Sequence, residues 1–166
     1  MKSTKKLVLA ALFVALYIVF TKLFSFTILG IERVSLEFLA ASLCGLLLGP
    51  LWSVPALIAA DIIGAFLLPA GPYFPGFTLS AALMGLLYGL ILYNKPVTVK
   101  RTALAVATVT VFISLGLGPV WLKIMYNKGY LGMMAVKVPV ELVLIPIKTA
   151  IVYWVAKALK RTKMFQ

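Results

Sequence analysis

The sequence predicts an all-α, polytopic membrane protein: a single domain over residues 1–166 with six transmembrane helices. Three observations carry this expectation. The chain is 63% hydrophobic with only four acids in 166 residues, and its mean hydropathy is +1.10, which leaves no stretch for a separate soluble domain. The apolar runs are helix-length and are punctuated by Gly-Pro, Pro-Gly and basic clusters, the residues that stop helices. The bases sit in short runs between the apolar segments, as membrane topology requires. A formal charge of +12 therefore reads as topology and not as a nucleic-acid surface.

The first helix is expected over residues 7–26. The Lys-rich start resembles a signal peptide, but no small-residue cleavage site follows, so the segment reads as a retained helix. The second helix, over 34–48, stops at Gly49-Pro50. The third covers 51–68 and the fourth 77–93. The fifth covers 102–126, with a weak point at Gly116 to Pro119. The sixth covers 134–159 and bends at Pro139 or Pro146. Several are shorter than the ~20 residues of a perpendicular span, so tilt or local thinning is expected. Lys2, Lys5 and Lys6 precede the first helix. Lys95, Lys100 and Arg101 join the fourth to the fifth, and Lys157, Lys160, Arg161 and Lys163 end the chain. With six helices these bases share one face, which makes that face and both termini cytoplasmic.

The chain is organised around residues 67–90. Pro69, Gly71, Pro72, Pro75 and Gly76 break the helix there, and Tyr73, Phe74 and Phe77 sit in and beside the break. This reads as a rigid aromatic cover over a cavity; the alternative is an ordinary extramembrane turn with interfacial aromatics. The remaining charges support a cavity. Arg33 and Glu37 fall in the first turns of the second helix, and Asp61 lies about 10 Å below the outer end of the third. Lys123 ends the fifth helix; Lys137 and Glu141 open the sixth. All six fall in the outer half, and only Lys148 lies deeper. Charges at that depth face a partner or a watered cavity. The competing reading is local pairing, Arg33 with Glu37 and Lys137 with Glu141 at i, i+4, with snorkelling by Arg33 and Lys123. Asp61 has no base within a turn on its own helix.

Helix 1 carries Ala10, Ala11 and Ala15, small residues at a spacing that admits a second helix. Ser80, Ala81, Met84, Gly85 and Gly89 offer a similar face on the fourth helix, assigned to packing within the bundle. There is no histidine, and Cys44 is the lone cysteine. A membrane enzyme using Cys44 or Asp61 would lack an adjacent base, and no cofactor or metal is expected.

Three stretches carry a resemblance. They are Arg33-Val34-Ser35-Leu36-Glu37, Gly49-Pro50, and Tyr73-Phe74-Pro75-Gly76-Phe77-Thr78-Leu79-Ser80-Ala81. With the small size and Ala11-xxx-Ala15, they make the chain similar to the S components of energy-coupling factor (ECF) vitamin transporters, and most to the folate-specific members. The resemblance implies a non-enzymatic subunit in a prokaryotic plasma membrane. It would capture folate outside, dock on a module of two ATPases and a transmembrane coupling subunit, and carry its closed pocket inward. No GxxxxGK[ST] motif occurs in the sequence, so any ATP hydrolysis falls to partners.

Folate suits the residues. Asp61 or Glu141 can accept from the pterin edge, and Tyr73, Phe74, Phe77 and Trp121 can stack on its rings. Arg33, Lys123 and Lys137 can take the glutamate tail. Glu37, Thr78 and Ser80 complete the expected binding set, and Ala11 and Ala15 the docking face. The rival readings are another vitamin such as riboflavin or pantothenate, and a self-sufficient secondary transporter.

Overall fold

A computed structural model describes residues 3–28, 32–68, 72–126 and 130–161. Lys2, Pro69, Gly71 and Lys163, and the side chain of Arg33, lie outside the described part. The order is α1 (Ser3–Lys22), β1 (Ser25–Ile28), β2 (Glu32–Ser35), α2 (Glu37–Leu48), α3 (Pro50–Leu67), α4 (Pro75–Leu92) and α5 (Val99–Val109). A π-helical segment (Thr110–Leu117), α6 (Gly118–Tyr126) and α7 (Tyr130–Arg161) complete it. The π segment joins α5 and α6 into one apolar run of 28 residues, Val99–Tyr126. Five runs are long and apolar enough to cross a membrane; α2 is apolar but has only 12 residues. The protein is a polytopic helical membrane protein.

The departure from an all-helical chain is a small hairpin. The first helix ends at Lys22 and not at residue 26, and β1 pairs antiparallel with β2, Phe26 opposite Val34 and Thr27 opposite Arg33. Phe24 to Ile28 alternates apolar and polar residues with β-branched Thr27 and Ile28, a period of two within what reads by hydropathy as a continuing helix. Arg33 therefore stands on a strand. α2 begins only at Glu37, so Arg33 and Glu37 do not share the helical i, i+4 register that their spacing allows.

α2 is central. Nine of its 12 residues are buried, against α1, α3, α4 and α7. At about 1.5 Å per residue it spans only ~18 Å, short of the ~30 Å hydrocarbon core, so neighbouring helices surround it. Its close contact with α4 depends on missing side chains. A Cβ on Gly45 would lie 2.7 Å from the Gly89 amide nitrogen. The small-residue face of α4 is thus used inside the bundle, as its spacing suggests. Gly49 ends α2 with φ +76°, a left-handed conformation open to glycine, and Pro50 starts α3 where its missing N–H costs nothing.

The weak point before Pro119 becomes the π segment. Gly118 N–H donates to Ile113 O, five residues back, a widened turn of the kind that accommodates a local break in the helical ladder. α7 continues through both Pro139 and Pro146.

The helices set two ends. A Cβ on Gly49 would lie 3.0 Å from the Tyr93 ring, and Lys160 Nζ donates to Lys95 O at 2.7 Å. Thus the ends of α2, α4 and α7 and the start of α3 lie together, with Lys95 and Lys160. The opposite end holds the starts of α2, α4 and α7 and the ends of α1 and α3.

Candidate functional site

At that opposite end the helices enclose a cavity of about 770 Å³, within the usual size range of small-molecule sites. One wall comes from α1 and α3, with Tyr17, Thr21, Lys22, Asp61 and Gly64. Facing it are Ser114 and Gly118 of the π turn and its end, Met125 and Tyr126 of α6, and Met133 and Lys137 of α7. Glu37 enters from α2. The segment before α4 and its first turns contribute Tyr73, Phe74, Phe77 and Ser80.

Local chemistry explains how that segment is held. Pro75 disfavours a helical Phe74 and fits the first helical position; Phe74 is extended, and Pro75 opens α4. Thr78 Oγ1 donates to Asp61 Oδ2 at 2.7 Å. A threonine hydroxyl has one hydrogen, so the 2.8 Å contact between the Tyr73 and Thr78 hydroxyls has Tyr73 as donor. The relay Tyr73 to Thr78 to Asp61 ties the aromatic segment to α3 and aims the carboxylate. Asp61 keeps further acceptor capacity, since each carboxylate oxygen takes more than one bond.

Aromatic packing forms the cover. The Phe74 ring lies 6.1 Å from Phe77, edge to face, and 5.7 Å from Trp121. Trp121 stands behind the lining, and its Nε1–H donates to Ser80 Oγ at 3.0 Å. Gly76 makes room for this cluster, since a Cβ there would collide with the Phe74 ring and lie 2.7 Å from Trp121 Cδ2. Tyr73 stacks on Phe66 at 5.9 Å.

The structure therefore gathers Glu37, Asp61, Tyr73, Phe74, Phe77, Ser80 and Lys137 around one space, with Thr78 and Trp121 behind it. It does not gather all the predicted residues. Lys123 is exposed and outside the lining. Glu141 is also outside it: the carboxylate is 1% exposed and meets Lys148 Nζ at 2.7 Å, while that ammonium sits 5.7 Å above the Phe38 ring. The i, i+4 pairing of Glu141 with Lys137 is replaced by this pair seven residues apart. Arg33 reaches the same end of the bundle on its strand. Ala11 and Ala15 lie on the exposed side of α1, whereas Leu9, Ala10, Phe13 and Tyr17 are buried.

Sequence reading missed Tyr17, Thr21 and Lys22. The signal was available: Tyr17 and Thr21 are polar residues one turn apart on an otherwise apolar helix, and Lys22 continues that side. Among the described residues no three His, Cys, Asp or Glu side chains come together in a metal-binding group.

Known proteins share this architecture. The family profile of the ECF transporter substrate-specific component matches residues 5–157. The chain is 33% identical over 164 residues to the folate transporter FolT of Clostridium novyi (strain NT), covering 99% of this chain and 95% of that one. It is 32% identical to the FolT of Leuconostoc mesenteroides over 157 residues, 91% of this chain and 84% of the relative. A crystal structure of FolT bound with folic acid superposes with a TM-score of 0.88 at 32% identity, covering 94% and 95% of the two chains.

Proposed function

The chain belongs to the family of ECF transporter substrate-specific components, and from that premise we propose that it is the folate-binding membrane subunit of such a transporter. The observation that carries the reading is the cavity itself. It has an oriented carboxylate, an aromatic cover and a deep lysine, the three features a folate needs. The pterin offers N–H donors on one edge and a flat face. Asp61 accepts from that edge, and its Thr78 hydrogen bond fixes the direction. Phe74, Phe77 and Tyr73 close over the rings, with Trp121 supporting Phe74. Lys137, only 6% exposed and on the cavity wall, takes a carboxylate of the glutamate tail, and Lys22 lines the same space. Arg33 is placed on the hairpin at this end and is the further candidate for the tail.

The chain passes a prokaryotic plasma membrane six times with the cavity outward, the 12-residue α2 making its short pass enclosed by the other helices. The basic end, which carries the start of α1 and the end of α7, faces the cytoplasm, in keeping with the positive-inside rule. Ala11 and Ala15 on the lipid side of α1 form the contact with a transmembrane coupling subunit, and partner ATPases drive delivery. Their exposure supports this, because alanines that packed the protein's own bundle would be covered.

The test is ligand stabilisation of the purified protein in detergent. Folic acid or a reduced folate binds at one per chain and stabilises the folded state by about 2.7 kcal/mol at a hundred times Kd, which raises the melting temperature. Stabilisation by riboflavin or pantothenate with no response to any folate overturns the assignment. Reconstitution alone in liposomes should give binding without accumulation; uphill accumulation by the isolated chain would identify a self-sufficient transporter.

A further inference from the structure

A second concavity lies at the other end of the molecule, where it has no part in the folate reading and does not depend on it. It occupies about 330 Å³ beside the start of α5 and is lined by Pro96, Thr98, Lys100, Arg101 and Leu104. Leu104 follows Lys100 by four residues and Arg101 by three, so the bases and the leucine share one side of the helix. Leu104 is 60% exposed on a run apolar enough to cross a membrane. The concavity therefore has a cationic upper part and an apolar lower part along a single helix face.

Among the described residues its surroundings are cationic and hold no acidic side chain. The chain has four acids, Glu32, Glu37, Asp61 and Glu141. Glu32 and Glu37 stand at the cavity end. Asp61 is 11 residues along α3 from Pro50, about 16 Å at 1.5 Å per residue, and Glu141 is 16 residues before Lys157, about 24 Å. The hydrogen bond from Lys160 Nζ to Lys95 O brings the basic end of α7 against the loop that enters α5. Lys157 and Arg161 join it within one turn. An anion here meets several cations and, among the described residues, no acidic side chain.

We infer that this concavity binds the headgroup of an anionic phospholipid, with phosphate held between Lys100 and Arg101 and an acyl chain lying along Leu104. The guanidinium of Arg101 can give a phosphate two parallel N–H bonds, while Lys100 adds a point charge. The apolar continuation selects a lipid over free phosphate, because only a lipid covers Leu104 at the same time as it meets the bases. A juxtamembrane base contributes roughly a factor of five in anionic-lipid affinity, so two together amount to about thirtyfold.

The experiment uses the full chain in detergent, titrated with phosphatidylglycerol, phosphatidylcholine and inorganic phosphate and read by native mass spectrometry. Phosphatidylglycerol should be retained, phosphatidylcholine should not, and millimolar inorganic phosphate should leave retention unchanged. Lys100→Gln with Arg101→Gln should weaken retention about thirtyfold. Lys5→Gln with Lys6→Gln removes the same charge from the same end, outside the concavity, and should change it little. Equal losses in the two double variants would overturn the site in favour of diffuse surface charge. So would displacement by phosphate, or equal binding of both lipids. If the first double variant does not purify as a folded monomer, Leu104→Ser serves in its place, since loss of the apolar part should weaken the lipid while sparing the charge.

Discussion

Asp61→Asn separates what the carboxylate does for the ligand from what it does for the fold. Asparagine keeps the shape, and its carbonyl oxygen still accepts the Thr78 hydroxyl that now lies 2.7 Å from Oδ2. The relay from Tyr73 therefore survives, and with it the anchoring of the aromatic cover. What disappears is the negative charge and one acceptor, and the new amide presents N–H groups to the donor edge of a pterin. A hydrogen bond to a charged group contributes about 1.5–3 kcal/mol, so folate affinity should fall about 10- to 150-fold. The assay is isothermal titration of the purified variant with folic acid and with p-aminobenzoylglutamate, which keeps the tail and lacks the pterin. The first ligand should weaken by that factor, the second hardly at all, and the ligand-free melting temperature should hold within a degree or two. Equal losses for both ligands would refute the pterin assignment, and a large drop in ligand-free stability would make Asp61 a structural residue.

Four further outcomes follow from the same geometry. Lys137→Ala should weaken folic acid more than a pterin without the glutamate tail, measured by the same titration; parallel losses would assign this lysine to holding the bundle. Ala11→Trp or Ala15→Trp should abolish uptake by the assembled transporter in cells while leaving binding to the purified subunit nearly intact, because a bulky side chain holds the partner helix away; loss of both would place these alanines in internal packing. Lys148→Met should destabilise by about 3–5 kcal/mol, since it strands the buried Glu141 carboxylate, while the double change with Glu141→Leu should recover most of the loss; thermal melts of the three proteins decide. Gly45→Val should cost more than the about 1–3 kcal/mol of ordinary overpacking, because its Cβ meets backbone at 2.7 Å, and it should show as poor yield of monodisperse protein.

What the sequence disclosed and what it hid divide along physical lines. Helix-length apolar runs and the Gly49-Pro50 stop are one-dimensional signals, and the bundle follows them closely, as does the break before α4. The charges in the outer half were legible for the same reason, since a bilayer makes any buried ionisable group conspicuous. Two kinds of information were not. Hydropathy integrates over a window, so it carried α1 onward through Phe24 and Phe26 and concealed a four-residue strand whose alternation is too short to register. Arg33 was thereby moved from a strand to a helix. Pair choice was the second. Lys137 and Lys148 are both on α7 and both within reach of Glu141 by helical spacing, at four and seven residues. Only the three-dimensional surroundings, with Phe38 beneath the Lys148 ammonium and the π turn opening beside Lys137, direct one lysine to the acid and the other to the cavity. The Gly118 position illustrates this: a Cβ there would lie 3.7 Å from Lys137 Nζ. The widened turn that Pro119 follows thus sits against the lysine on the cavity wall. A residue read from the sequence as a helix weak point helps shape the binding space, and Tyr17 and Thr21, read as part of a docking helix, line its other side.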